Sequence, residues 1–514
     1  MSGPQAAARV AKLRTGIPGI DFLTHGGLPE GRTCVVSGTA GSGKTILALH
    51  FLAAGIAEGQ PGVFVTFEEP AEDLRRNVGS FGWDLAAWER GGRLAIIDAT
   101  PDPATEEALA VGDYDLGGLV SRIAHAAGRV GARRIALDSL GSLFAQFTDH
   151  GIVRREIRRI LSSLRPLGLT GLATSERVAE YGAVGRFGVE EFVADGVIIL
   201  RNTLTEMRRR RTVEVLKMRG SAHAKGEHPF IILDGVGVEV IPLSALRLDP
   251  PASDVRRPTG IPELDAMCGG GFFENSIVIV SGATGTGKTL LATYFLGALP
   301  DEGPALMVAY EEGREQITRN ARNWGLDLGP LLTSGQLRIE CRYPEAAGLE
   351  DHLVHIKQLV DAHTPSRLVI DSLSALERIA SDKSFREFAI DLTAFLKQHS
   401  VLTLLTTTTP TLTGGASLTN THISTIADGI ILLRHVELYG ELQRGLAVLK
   451  MRGSDVDRRI REIIVSGEGL RIGEPIRNVA GVLSGNLTYI LDDQSGFTRM
   501  APRGPAEGGD GHPS

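Results

Sequence analysis

The sequence predicts an α/β protein of two tandem P-loop NTPase domains, each a mostly parallel sheet flanked by helices. Three observations carry that prediction. The chain repeats itself, each half alternates short apolar runs with longer helical stretches, and each half has one glycine-rich loop between a strand and a helix.

The repeat sets the domain count. TGIPGID at Thr15 returns as TGIPELD at Thr259, and SGTAGSGKT returns as SGATGTGKT; the same spacing separates Thr15 from Thr259 and Lys44 from Lys288. VTFEE and VAYEE match Glu68 to Glu311, IALDSL and LVIDSL match Asp138 to Asp371, and VLKMRGS recurs unchanged at Lys217 and Lys450. Motif order and spacing both hold, so the halves are a duplication. The Pro- and charge-rich stretch RLDPPASDVRRP reads as the linker, which gives domains over 1–247 and 248–480. The remainder, 481–514, ends in APRGPAEGGDGHPS and reads as a partly disordered tail.

Within each half, β-rich runs such as TCVVSG, GVFVTF, RIALDS and DGVIILR alternate with stretches such as KTILALHFLAAGIAEG. That rhythm implies strands joined by helical crossovers, with helices on both faces of the sheet. At 514 residues, 42% apolar and 22% charged, the composition is that of a soluble globular chain too long for one core. No apolar run reaches the roughly 18 residues of a membrane span. The start, MSGPQAAARVAKLRTG, lacks the apolar region of a signal peptide. Cys34, Cys268 and Cys341 lie far apart without metal-ligand spacing, which points to a reducing, cytoplasmic home. A net charge of −7 argues against a protein whose main task is coating nucleic acid. The run RRRR at 208–211, absent from the matching YGELQRG, reads as a loop or subunit-interface cluster.

The phosphate chemistry rests on GTAGSGKT at 38–45 and GATGTGKT at 282–289. Glycines let backbone N–H groups turn toward phosphates, and the following helix adds its positive end. Nucleotide contacts are therefore expected from Gly41, Ser42, Gly43, Lys44, Thr45 and Ile46, and from Thr284, Gly285, Thr286, Gly287, Lys288, Thr289 and Leu290. Lys44 and Lys288 would meet the β- and γ-phosphates of ATP, while Thr45 and Thr289 would set a hydroxyl on Mg2+. Asp138 and Asp371 end apolar strands, as the magnesium-side carboxylate does; each could instead cap the helix that follows. The pairs Glu68–Glu69 and Glu311–Glu312 follow a second strand, at the sheet edge where such folds bind ligands. A carboxylate there can orient or deprotonate an attacking water or hydroxyl, with Glu311 also a candidate metal ligand; a solvated helix start is the alternative. KMRGS supplies Lys217, Met218, Arg219 and Ser221, then Lys450, Met451, Arg452 and Ser454. Its cations suit developing phosphoryl charge, or a sheet edge guarded against aggregation.

One contrast between the halves stands out. SLTNTHISTIADG carries hydroxyls at Ser417, Thr419, Thr421, Ser424 and Thr425, where RFGVEEFVADGVIIL sets Glu191 opposite Ser424 and Phe192 opposite Thr425. Alone, the first of these is a Ser/Thr-rich turn.

Tandem halves with these motifs in this order resemble the KaiC family of circadian-clock ATPases and autokinases, from about Leu13 to about Gly485. HGGLPEGR, PGVFVTFEE, RRRRTVEVLKMRG, YPEAAGLEDH, IDSLSALER and HISTIADGIILL carry the resemblance. It implies RecA-like domains in a double-ring homohexamer, with ATP between neighbouring subunits and KMRGS reaching the adjacent protomer's nucleotide. The first domain would hydrolyse ATP slowly. The second would phosphorylate and dephosphorylate its own chain at Ser424 and Thr425, with Glu311 as base and Thr419 matching a nearby controlling hydroxyl. By the same matching, Ser80, His223 and Asp234 help seat the first nucleotide, and Arg444 and a stacking Trp324 the second. Leu233 and Asp455 depart from polar positions of the family. A KaiB-like partner is implied for the first domain; the tail does not resemble the KaiA-binding segment, which argues against that partner. The chain would then be a timing or signalling hub. Two readings compete: a RecA-like nucleic-acid ATPase, which needs basic DNA-binding loops, and a nucleotide-gated scaffold without autokinase activity.

Overall fold

Six consecutive buried residues, Thr33–Gly38, form the central strand of the first sheet. Strands covered on both faces read as unbroken apolar runs, which is why TCVVSG shows no alternation. The computed structural model describes residues 10–100, 116–143, 149–185, 190–205, 208–241, 253–297, 303–409, 425–438, 440–467 and 469–477, together with 479–480 and 488–489. They form two compact units, one up to Arg247 with Gly348–Val354 added, the other from Leu248 onward.

In the first unit a nine-stranded sheet runs in the order Gly237–Val240, Glu227–Leu233, Arg208–Met218, Gly196–Thr205, Thr33–Gly38, Thr170–Glu176, Arg134–Asp138, Gly62–Thr66, Leu94–Asp98. From Gly196–Thr205 to Leu94–Asp98 neighbouring strands are parallel, and the three on the other side are antiparallel. The second unit repeats the plan around Ile277–Gly282, in the order Leu337–Cys341, Ala305–Ala309, Arg367–Asp371, Leu402–Thr408, Ile277–Gly282, Gly429–Leu438, Glu441–Met451, Arg461–Ser466, Gly469–Pro475. Each unit is a RecA-like α/β domain. The run at 208–211 is no loop: it opens the strand Arg208–Met218, because hairpin pairing with Gly196–Thr205 continues out to Thr205 opposite Arg208. Past the second sheet, Val479–Ala480 pairs antiparallel with Thr488–Tyr489; the last stretch of the tail lies outside the described residues.

Helices cover the sheets by burying one stripe. His150–Leu164 is rich in arginine, yet Val153, Ile157, Ile160 and Leu164 recur at helical spacing and are buried, and Asp149 caps its start. Asp382–Gln398 does the same with Phe385, Phe388, Leu392 and Leu396 behind a Ser381 cap. Among the described residues no helix is long and apolar enough to cross a membrane.

A buried arginine opens the strand leading to each strand-end aspartate. Arg134 is fully buried and donates to the carbonyl oxygens of Arg14 (2.9 Å), Thr15 (3.0 Å) and Phe51 (2.7 Å). Arg367 donates to those of Pro258 (3.0 Å) and Phe295 (2.9 Å). A buried cation is tolerated only with such partners, and space for the first comes from Gly55 in the helix Lys44–Ala57. A β-carbon there would lie 2.4 Å from Arg134 Cδ. Gly55→Ala is therefore expected to destabilise the first domain by about 1–3 kcal/mol, the cost of overpacking a core, although alanine favours helix by about 1 kcal/mol. Thermal melting checks it; an unchanged or raised midpoint would mean that Arg134 repacks freely.

Candidate nucleotide sites

In each half the central strand ends in glycine, and the loop that follows turns over the sheet edge into a helix. Gly41 (φ 72°) and Gly43 (φ 95°) adopt left-handed backbone, as do Gly285 (φ 81°) and Gly287 (φ 102°); side chains with a β-carbon disfavour that region, so glycine is required. The helix Lys44–Ala57 starts directly after Gly43, and Lys288–Gly297 directly after Gly287. Lys44 Nζ donates to Thr39 O at 3.0 Å, and Lys288 Nζ to Gly282 O and Ala283 O at 2.9 and 3.0 Å. Burial lowers the pKa of both lysines, against the pull of Glu176, Asp138, Glu68 and Glu180 in the first site and of Asp371 and Glu311 in the second.

Asp138 and Asp371 do not cap helices through their side chains. Thr45 Oγ1 donates to Asp138 Oδ2 at 2.8 Å, and Thr289 Oγ1 to Asp371 Oδ2 at 2.7 Å. The other carboxylate oxygen takes the hydroxyl of Thr174 or Thr406. Burial pushes both carboxyls above the usual range, and these hydroxyls and the loop lysines oppose it. The strand-end backbone is tied as well: Phe67 N–H donates to Asp138 O, and Tyr310 N–H to Asp371 O, each at 2.8 Å. That brings Glu68 and Glu311 to the same edge as the loops. Glu68 is exposed and Glu69 half-buried; Glu69 accepts from Asn77 Nδ2. In the second site Ser372 Oγ donates to Glu311 Oε1 at 3.0 Å, Arg378 lies 3.5 Å from that oxygen, and Asn320 Nδ2 donates to Glu312 at 3.1 Å. Partial desolvation, with the nearby carboxylates of Glu176 and Asp138, raises the pKa of Glu68, and desolvation raises that of half-buried Glu312.

The remaining residues fall into two groups. Near the loops, the Asp234 turn meets Ser80 through Gly235 N–H to Ser80 O at 2.9 Å, and a β-carbon on Gly43 would touch Ile232 of the adjoining strand at 2.8 Å. Arg444 Nε donates to Gly285 O at 3.1 Å, and Trp324 ends the helix Arg314–Asn323, its carbonyl taking Tyr294 OH at 2.6 Å. KMRGS is not brought to its own loop. Met218 pairs with Gly196 and Met451 with Gly429, at the opposite end of the parallel strands. Lys217 Nζ donates to Glu191 O (2.7 Å) and Ala194 O (3.0 Å), and Arg219 to Phe192 O (3.0 Å). Lys450 donates to Ala427 O and Arg452 to Thr425 O, both at 2.7 Å. His223 and Ser221 follow at that far end, where Ala224 N–H meets Leu23 O. Thr425 is exposed; Ser424 and Thr419 lie outside the described residues.

Sequence reasoning missed Thr174, Thr406, Ser372 and Arg378. The two threonines were within reach, since they sit at matched positions in LATSE and LLTTT; only three-dimensional packing shows that each faces the aspartate.

A glycine loop cradling its own lysine, with a threonine joined to a strand-end aspartate and a glutamate at the same edge, defines each half as a RecA-like P-loop ATPase unit. The chain belongs to the KaiC ATPase family, whose profile, described as "ATPase: KaiC", matches residues 13–245 and 257–477. It is 53% identical over 94% of its length to a Synechocystis sp. protein named circadian clock protein KaiC3, of which 96% is covered. It is 49% and 48% identical to proteins named circadian clock oscillator protein KaiC from Thermostichus vulcanus and Synechococcus elongatus, in each case over 97% of this chain and 96% of the relative.

Proposed function

We propose that the chain is a slow ATPase and a serine/threonine autokinase with reverse phosphotransfer, acting in the cytoplasm as a timing or signalling hub like the clock proteins it is similar to. The observation that carries this reading is the contrast at one matched position: exposed Thr425 stands where the first half has Phe192, each at the KMRGS end of a sheet whose other end carries a phosphate loop. The first half then has only water to use as nucleophile, and the second has a hydroxyl.

Thr45 with Asp138, and Thr289 with Asp371, offer the hard oxygen donors that Mg2+ takes alongside substrate phosphates, and Glu311 is a further donor. Bound there, the ion would neutralise charge on the phosphates. The chain's residues do the rest: the loop N–H groups and lysine hold the phosphates, and Glu68 or Glu311 accepts the nucleophile's proton. Since each KMRGS lies across its sheet from its own loop, its cations suit a neighbour's nucleotide, which supports the homohexamer with ATP at the subunit boundaries that the family resemblance implies. A KaiB-like partner on the first domain fits the family resemblance.

Phosphosite mapping by mass spectrometry during incubation with Mg-ATP tests the reading. Phosphate is expected on Ser424 and Thr425, and an ADP chase should return it as ATP. Phosphate found only at Thr419, Thr421 or elsewhere refutes the assignment. Assembly is checked separately by light scattering: because ATP would bind between protomers, binding and oligomerisation are linked, and Mg-ATP should convert small species to hexamers.

A further inference from the structure

The two nucleotide sites differ at the end of the strand next to the phosphate loop, at a position that the motifs do not include. Glu176 ends the strand Thr170–Glu176 and pairs in parallel register with Gly38, where the phosphate loop begins. Its counterpart, ending Leu402–Thr408 and pairing with Gly282, is Thr408. Residues two apart on a strand share a face, and Thr174, two before Glu176, gives its hydroxyl to Asp138. Glu176 is therefore turned to the same side as the strand-end aspartate.

A second difference accompanies it. Gly141 occupies the place of Ser374. A β-carbon on Gly141 would already touch Glu176 Cγ and Ser139 Oγ, both at 3.6 Å. Ser374 instead uses its hydroxyl to accept the Thr408 N–H at 2.9 Å. Glycine with glutamate in one half and serine with threonine in the other are two packings of the same corner. Next to it, Ser139 and Ser142 share a hydrogen bond at 3.2 Å. The groups that act electrostatically on Glu68 are Glu176, Asp138, Ser142 and Lys44, and after partial desolvation Glu176 does most to hold the Glu68 carboxyl above its ordinary range.

We propose that Glu176 is a further catalytic residue of the first site, the acceptor that holds the second hydrogen of the attacking water. Water carries two O–H bonds and a serine or threonine hydroxyl only one. In hydrolysis the water oxygen bonds to the γ-phosphorus as the bond from that phosphorus to the β–γ bridging oxygen breaks and ADP leaves. One proton passes to Glu68; the other O–H, donated to Glu176, stays with the phosphate. In the second site an alcohol needs Glu311 alone, and Thr408 stands where a second acceptor has no use. The inference rests on the proposed hydrolysis in the first domain.

The test measures phosphate release by the full-length chain in a Glu311→Gln background, with binding of a fluorescent ATP analogue read in parallel. Glu176→Thr should lower kcat about 10–100-fold, the scale of a misplaced reactant, with analogue affinity within about twofold. Glu176→Gln keeps an oxygen acceptor and should stay within about threefold of the parent. Should Glu176→Thr fold poorly, Gly141→Ser combined with Glu176→Thr reproduces the second-half packing and should show the same loss of kcat. A kcat within about twofold for the Thr variants, or a loss confined to KM and affinity, overturns the proposal. Glu68→Gln separates the two levels: if it leaves phosphate release unchanged, the reading of the first domain fails; if it abolishes release while Glu176→Thr does not, only this inference fails.

Discussion

Glu311→Gln is expected to lower phosphorylation of Ser424 and Thr425 by about 10²–10⁴-fold, the range for loss of a positioned general base, while hydrolysis in the first domain continues. Glu68→Gln should do the reverse. The division follows from geometry shared by both sites. In each, the strand bearing the glutamate pair is tied by a backbone hydrogen bond to the aspartate that takes the loop threonine. Each glutamate therefore lies at the sheet edge that carries the loop of its own half, and the surroundings of the two differ. Glu311 is steadied by Ser372 and Arg378; that exposed ion pair is worth little in stability, but it fixes where the carboxylate points. Glu68 has carboxylate neighbours, Glu176 and Asp138, which with burial raise its pKa. A base acts only when deprotonated, so hydrolysis should fall as pH drops through that raised value, above the ordinary 4.5 of a glutamate. Separate assays of phosphate release and of phosphopeptides, across pH for each variant, check both statements. Wild-type phosphorylation by Glu311→Gln would remove the base assignment.

How much of this was legible in the sequence depends on how local each signal is. The loops, their lysines and the strand-end aspartates could be read because each motif spans a few residues and occurs twice. The parallel sheet followed from short apolar runs such as TCVVSG and LVID, whose strands are buried along their whole length. What stayed hidden joins distant positions. Arg134 reaches Thr15 and Phe51 from across the domain, and a charged residue opening a strand gives no sign that it is buried. The 208–211 arginines read as a loop because charge is the usual mark of one, yet backbone pairing extends the hairpin through them. Glu176 was visible only as an unremarked letter in LATSE, since its partners Gly38 and Gly141 come together through sheet register and packing.

Chains carrying Arg219→Ala and chains carrying Lys44→Ala should each lose hydrolysis in the first domain, and mixing them should restore part of it. An arginine donated to phosphoryl charge is worth about 10³–10⁵ in rate, so the single-variant loss should be large. The structure gives the reason for recovery. Gly196, opposite Met218, pairs near Cys34 at the start of the central strand, whereas Gly38 at its end pairs with Leu200. At about 3.3 Å per residue the intervening strand sets the cations roughly 13 Å or more from their own phosphate loop. Arg219 also donates to Phe192 O, and Lys217 to Glu191 O and Ala194 O, which hold that end of the sheet in place. An arginine so anchored cannot fold back over its own sheet edge, but it can face a neighbour's loop. In a mixed ring, an intact loop from an Arg219→Ala chain meets an intact arginine from a Lys44→Ala chain at some boundaries, and those sites turn over. Phosphate release from equimolar mixtures assembled with Mg-ATP measures this. Activity no higher than the average of the two separate variants would place the arginine's action within one chain and remove the argument for shared sites.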